Sequence, residues 1–456
     1  MNKKNDVSRR QFLSRTALTL PVAAAAIPAA LEITSPMPAS AAAYPSIRQS
    51  IPNRTLPNRT SIPSGFVTVS GLDTTETVDC SQAIQDAINS AVSQGKGTVI
   101  IPRLSTSSTQ HPQGNRCIYK IDPQRVVVDN SDPDDVVYCA IQLKDQIRLE
   151  CEPGVTLQAM TINSDPNKLT RRAYLLYAKG ISSVEIINGS YVGDRQKHIY
   201  SGATHKNNPN NTDEWCHGLQ LAGVQHLTVR GTNFSNCTGD GICIGGSATF
   251  DLVFCDVLST GNRRQGLSIT QGDSISVYDS EFSYTYGTLP MNGIDIEPDA
   301  PSASVTNVTI DNCIIKGNEG NGIECNLNTT GDSIQNVDVL NCLFSYNYYI
   351  GFSAHRSAGT ISGGTVYGCA FYQNGNYGLS IGQGVTGYTI GATDTSGDGN
   401  YTNSFANNKI IVHPVSSIRT TYPNTAATPH TGYVSGTDMN TGTPSDNTWR
   451  TNLFTS

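Results

Sequence analysis

Basic side chains are the scarcer charge in this sequence, with 30 Lys and Arg against 37 Asp and Glu and a net charge of −7. That balance excludes nucleic acid as an expected partner. Downstream of the first 41 residues there is no apolar run long enough to span a bilayer, and the run from about Thr16 to Ala30 is itself short for that purpose. Pro/Ser-rich and charged linkers are also missing, which argues against division into several domains. Helix signals are few, and the asparagine and leucine pattern of a leucine-rich repeat is absent.

What is present begins with Ser8-Arg9-Arg10-Gln11-Phe12-Leu13 ahead of that apolar run, the pattern of a twin-arginine export signal. Pro38-Ala39-Ser40-Ala41 supplies small residues for cleavage after Ala41. The leader carries five basic and two acidic residues, so the mature chain is near −10. The twin-arginine machinery is thus an expected partner, and the mature protein is expected to be secreted or periplasmic with no membrane anchor. The sequence divides into the signal peptide (1–41), an extended segment (42–64), one long repetitive domain (65–410) and a polar tail (411–456). Twelve cysteines form an even set. Twin-arginine substrates fold before export, so buried thiols are expected ahead of disulfides.

A Gly followed by a large apolar residue recurs at Gly218-Leu219, Gly241-Ile242, Gly266-Leu267, Gly293-Ile294, Gly322-Ile323, Gly351-Phe352 and Gly378-Leu379. The intervals are 23, 25, 27, 29, 29 and 27 residues. Such periods with strand-like composition indicate an all-β solenoid whose coils bury their apolar faces by stacking. Asn262, Asn318, Asn347 and Asn374 each stand four residues before their Gly and are expected to stack at a tight turn. Cys313, Cys342 and Cys369, nine residues before theirs, are expected to stack in the core.

Ser81 to Ile88 has an N-capping residue and helical apolar spacing, and Gly95-Lys96-Gly97 ends it before the strand Thr98–Pro102. This A-I-Q-D-A-I then G-T-V-I-I-P succession resembles the start of the pectate-lyase-like superfamily, especially its rhamnogalacturonase and epimerase-type branch. Ile141-Gln142-Leu143, Ile147-Arg148-Leu149 and Gly154-Val155-Thr156-Leu157 extend the resemblance. It implies a right-handed parallel β-helix with an N-terminal capping helix.

Strand alternation turns the second and fourth residues after each Gly outward. The second-residue column reads Gln220, Cys243, Ser268, Asp295, Glu324, Ser353 and Ser380, and the fourth reads Ala222, Gly245, Thr270, Glu297, Asn326, His355 and Gly382. Asp295, Glu297 and Glu324, with Asn326 and His355, therefore gather on three consecutive coils between small residues. Like charges in register are destabilising, so their retention points to a use. Asp295 and Glu324 should lie ~5 Å apart and Asp295 and Glu297 ~7 Å, and proximity should raise the pKa of one member into the range of a general acid. Asp240, before its Gly, is expected to point into the same groove. Arg263 and Arg264 in the next turn would pair with Asp240 and Asp295 or hold a sugar carboxylate. The excursion between Asp194 and Gly218 brings Trp215, a candidate for stacking on a sugar face, and His217, expected to make a structural hydrogen bond.

The succession T-G-D-G-I, R-Q-G-L-S-I and N-G-I-D-I-E is similar to the catalytic coils of polygalacturonase-type glycoside hydrolases, which implies a catalytic role for Asp240. Gln265 stands where that family has histidine, and Asp295-Ile296-Glu297 where it has a basic triplet, so polygalacturonase activity itself is not implied. Gly293-Ile294-Asp295 also resembles a step of alginate carbon-5 epimerases. That resemblance implies a lyase or epimerase with Arg264 or Lys197 as base and calcium on Asp295, Glu297, Glu324 and Asn326. A passive glycan-binding β-helix is the third reading.

The expectation carried forward is a polysaccharide-cleaving glycoside hydrolase that needs no cofactor. Asp240, Asp295, Glu297 and Glu324 form its acid/base set. Arg263, Arg264, Gln265, Asn326, His355, Trp215 and His217 contact substrate.

Overall fold

The computed structural model describes residues 54–57, 59, 61–104, 117–131, 136–162, 172–198, 214–391, 403–406 and 408, together with 439–440, 448–449 and 452–455. The expected export signal and cleavage site, residues 199–213 of the long excursion and most of the tail lie outside the described residues. Among the described residues the strands form three sheets of twelve, eleven and eleven strands. Each coil contributes one strand to each sheet, and the pairings are parallel, except that Val126–Asp129 pairs antiparallel with Val137–Gln142 at one sheet edge. The chain is a right-handed parallel β-helix.

The repeat sets the register of the third sheet. Leu219 pairs with Ile242, Ile242 with Leu267, Leu267 with Ile294, Ile294 with Ile323, Ile323 with Phe352 and Phe352 with Leu379. These residues are fully buried and belong to one continuous core. The preceding glycines are required because coils pack backbone against backbone there. A Cβ on Gly266 would collide with the carbonyl oxygen of Gly293, and one on Gly322 with that of Gly351.

The asparagine ladder forms with one correction. Asn318 Nδ2 donates to Asn347 Oδ1, Asn347 to Asn374 and Asn374 to Asn408, each at 2.9 Å. Asn262 is not part of that run and bonds within its own turn to Ser259 Oγ at 2.9 Å. In the coil between, the longer turn puts Thr285 at the ladder position, where its N–H donates to Asn318 Oδ1 at 3.0 Å. Cys313, Cys342 and Cys369 stack as buried thiols, the Cys313 N–H reaching Cys342 Sγ at 3.4 Å.

The helix spans Ser81–Ser93 and buries Ile84, Ala87, Ile88 and Ala91 against the first coil. Its N-cap is Cys80, not Ser81 as expected. Asp79 Oδ1 accepts from the Ser81 N–H at 2.9 Å, which frees Ser81 Oγ to accept from the Asp122 N–H at 2.8 Å. At the far end the C-terminal segment extends the solenoid: Met439 pairs with Leu379, Thr448 with Thr389 and Asn452 with Asn403, one strand for each sheet. No helix among the described residues is long and apolar enough to cross a membrane.

Along the outer face of the first sheet lies the extended segment ahead of the helix. Arg54 bonds to Asp279 and Asp311 at 2.9 Å and lies over the Tyr278 ring. Arg59 reaches Asp251 at 2.6 Å, Thr228 Oγ1 at 3.0 Å and the Leu227 carbonyl at 2.7 Å. Ser61 bonds to Ser183. One short stretch thus ties together strands of five coils.

Candidate active site

The outward second-residue column is in register along the third sheet: Gln220 with Cys243, Cys243 with Ser268, Ser268 with Asp295, Asp295 with Glu324, Glu324 with Ser353 and Ser353 with Ser380. Asn326 pairs with His355 in the fourth-residue column. The carboxylates therefore do gather on neighbouring strands.

A second column, made by the residue just before each Gly, organises them. Its members run His217, Asp240, Gln265, Asn292, Asn321 and Ile350. Their side chains accept from the backbone of the next coil: the Asp240 N–H donates to His217 Nδ1 at 2.8 Å, Asn292 to Gln265 Oε1 at 2.8 Å, Asn321 to Asn292 Oδ1 at 2.7 Å and Ile350 to Asn321 Oδ1 at 3.0 Å. Because the amide oxygens are committed to the backbone, the amide nitrogens turn toward the acids. Gln265 Nε2 donates to Asp295 Oδ2 at 2.7 Å, and Asn292 Nδ2 donates to both Asp295 Oδ1 at 3.3 Å and Glu324 Oε2 at 2.7 Å.

These bonds change the expected picture of the acid group. Asp295 is 1% exposed and held on both oxygens, so it is not presented to solvent as the alternation suggested. Glu324 and Glu297 are half-buried and line the face. Glu324 has its pKa raised, first by burial and then by the charge of Glu297, with the Asn292 hydrogen bond working against the shift. The expected cause was a neighbouring carboxylate; desolvation is larger. Glu297 Oε1 accepts from Asn326 Nδ2 at 3.3 Å. His355 Nε2 bonds to Ser380 Oγ at 2.9 Å, and burial lowers its pKa.

Asp240 is fully buried and does not reach the open groove as expected. Arg264 Nη1 meets its two oxygens at 2.9 and 3.2 Å. Burial is the largest single influence on the Arg264 guanidinium, 4% exposed, and Asp240 together with Glu214, Cys243 and Asp295 more than offsets it, so the charge is kept. Asp295 accepts from the Gln265 amide, and its charge acts on Arg264 electrostatically. Arg263 lies outside this group, its stem against Gly287. Lys197 lines a different cleft with Lys120 and Gln158 on the second sheet, so it does not face the acids. Of the expected calcium set, Asp295 and Glu324 share the Asn292 amide nitrogen and Glu297 takes the Asn326 amide. Among the described residues His217, Asp240 and Cys243 converge within 4.8 Å of one another, and Arg264 already neutralises their carboxylate.

Next to this group the sheet opens into a cleft of about 280 Å³. The guanidiniums of Arg172, at 5.4 Å, and Arg264, at 5.3 Å from its ring centre, both lie over Trp215. His217 stacks on Tyr174 at 5.4 Å, and Tyr174 stacks on Tyr177 at 5.7 Å. Burial raises the Tyr177 phenol to about 12, so it remains a hydroxyl. The sequence reading missed Asn292, Arg172, Tyr174 and Tyr177. Asn292 was legible as a polar residue before Gly, in line with Gln265 and Asn321. The tyrosines lie on a coil that precedes the first Gly of the repeat, where no repeat signal marks the outward positions.

A family model described as right-handed beta helix region matches residues 198–410. Over 159 residues, 31% of this chain, the sequence is 27% identical to the uncharacterized protein YclG of Bacillus subtilis strain 168; the match spans 26% of that protein, about a quarter of its length. The A-module of mannuronan C-5 epimerase AlgE4 from Azotobacter vinelandii superposes at 14% identity over 75% of this chain and 86% of its own, with a TM-score of 0.39. A hyperthermoactive exopolygalacturonase from Thermotoga maritima does so at 13% identity over 76% and 88%, with a TM-score of 0.47. At these identities the likeness is one of fold.

Proposed function

We propose that the protein is a glycoside hydrolase acting on a polysaccharide, with Glu324 as general acid and Glu297 as general base. The observation that carries this reading is the half-buried Glu324 carboxyl, whose raised pKa keeps it protonated where an ordinary glutamate has ionised. A carboxyl that keeps its proton, set beside a second carboxyl group, is the arrangement that glycosidic cleavage requires. Glu324 stands one strand over from Asp295 and Glu297 two residues along, which separates the two glutamates by about 8 Å at Cα. We take the pair to act by inversion, with the attacking water admitted between the two carboxyl groups. Glu324 would protonate the departing glycosidic oxygen while Glu297 takes a proton from the water attacking the anomeric carbon. Asn292, itself bonded to Asp295, holds Glu324 in place.

A polymer substrate fits a sheet face whose second-residue column is small beside the acids, Ser268 on one side and Ser353 and Ser380 on the other. The twin-arginine leader belongs to the same proposal, since it would deliver the enzyme outside the cytoplasm, where such polymers occur. The test is incubation of wild type, Glu324→Gln and Glu297→Gln with plant, algal and bacterial glycans, with and without chelator. New reducing ends made by wild type and lost in both variants support hydrolysis. An ultraviolet-absorbing unsaturated uronic end would establish a lyase instead.

A further inference from the structure

The cleft of Trp215 has no task in the hydrolytic step, yet it opens on the same face as the acids. One wall is a run of four rings in contact: Trp215 edge-on to His217 at 6.1 Å, His217 stacked on Tyr174, and Tyr174 stacked on Tyr177. Most of the remaining lining is polar, Val137 and Ala222 excepted, and includes Gln220, Thr270 and Lys179, whose side chain is 58% exposed. Aromatic faces beside a few convergent polar groups match the two sides of a sugar, its C–H face and its hydroxyl rim. The wall is also fixed before any ligand arrives, because two guanidiniums contact the Trp215 ring and one of them, Arg264, is locked by Asp240.

We infer that this cleft is a glycan-binding subsite for a non-reacting sugar unit, and that the polymer lies along the solenoid axis from Trp215 to Glu324. The inference takes its ligand class from the proposed hydrolase reading. Cys243, on the cleft, pairs with Ser268, Ser268 with Asp295 and Asp295 with Glu324. Three strand spacings make about 14 Å, and each spacing is close to the length of one sugar residue in an extended glycan. A chain of about four units therefore reaches from the cleft to the acid. The path between is low: Ser268 and Gly245 face outward there, and a side chain at Gly245 would meet Thr270 Oγ1. Only substrates long enough to fill the cleft gain its binding energy, so kcat/KM should rise with length up to about four units and then level off.

The test uses the full chain carrying Glu324→Gln, overlaid on an array of plant, algal and bacterial glycans, with Trp215→Ala and Lys179→Ala added separately. Thermal melts check that the variants fold. The expected result is retention of a glycan set that weakens about tenfold or more on losing Trp215. In the active background, Trp215→Ala should bring the six-unit to three-unit ratio of kcat/KM toward one. Retention indifferent to both substitutions, or no glycan retained at all, overturns the inference. The two proposals fail separately: turnover that survives Glu324→Gln removes the hydrolase assignment and leaves Trp215-dependent retention standing, whereas turnover lost in Glu324→Gln with Trp215-independent retention removes the cleft alone.

Discussion

Asn292 and Glu324 meet across a coil boundary, Nδ2 to Oε2 at 2.7 Å, and the same nitrogen reaches Asp295 at 3.3 Å. A neutral amide thus separates two carboxylates that the register sets side by side, which reduces the repulsion expected from their alignment. The bond favours the ionised form of Glu324 and opposes the effect of burial. In Asn292→Ala the Glu324 pKa should rise further, moving the alkaline limb of the pH–rate profile upward. The Asn321 N–H also loses its acceptor, at a cost of about 1–3 kcal/mol. A pH–rate profile and a urea melt read the two effects, and an unmoved alkaline limb would show that Asn292 does not govern this carboxyl.

Glu324 itself links activity to stability. Its folded pKa lies above the ordinary 4.5, so the folded chain holds a proton that the unfolded chain releases. The sign follows: its contribution to stability is most favourable below about pH 4.5 and is lost as pH rises through the folded value. Glu324→Gln removes an ionisable group from that site. Relative to wild type, its Tm should be higher near about pH 7 and should converge at about pH 4. Turnover should fall about 10²- to 10⁴-fold, the usual contribution of general acid catalysis. A Tm difference that does not change with pH would mean that Glu324 titrates as an ordinary surface carboxylate.

The extended segment before the helix makes its own prediction. Arg59 is buried, with its guanidinium shared among Asp251, Thr228 and the Leu227 carbonyl. Arg59→Ala leaves those acceptors under the segment without their donor, and the expected loss is about 3 kcal/mol. Arg54, with a side chain 24% exposed, should cost less on removal. Urea denaturation of the two variants should rank them in that order, and equal midpoints for both and wild type would show that the segment does not clamp the coils.

The solenoid was legible because each coil repeats one packing problem. The Gly and the apolar residue after it must meet their counterparts in the next coil, so Leu219, Ile242 and Leu267 announce the register of the whole sheet. The outward columns followed by alternation. Exposure did not follow, because alternation gives direction and not depth: Asp295 faces outward but lies beneath the amides of Gln265 and Asn292. The role of Arg59 was invisible for a different reason, since its partners Thr228 and Asp251 lie 169 and 192 residues away. Tyr174 and Tyr177 were missed because their coil lacks the Gly that marks the others.

Asp240 is where the resemblance to a catalytic aspartate and the observed geometry part, and one substitution separates them. A general acid must reach substrate, but Asp240 is fully buried and both its oxygens face Arg264. In this arrangement its charge is what lets a guanidinium 4% exposed sit beneath Trp215. Asp240→Asn should therefore destabilise the fold by about 3–5 kcal/mol, because it leaves a buried cation without its counter-charge. Adding Arg264→Met should recover much of that loss, since the paired removal leaves no orphaned charge. Tryptophan fluorescence should shift in the single variant as the cation beneath the indole reorients. If Asp240→Asn abolished turnover with an unchanged melting curve, the aspartate would be acting on substrate and the positioning role would fall. If stability drops and the double variant restores it, Asp240 serves the reaction only through Arg264 and the ring it supports.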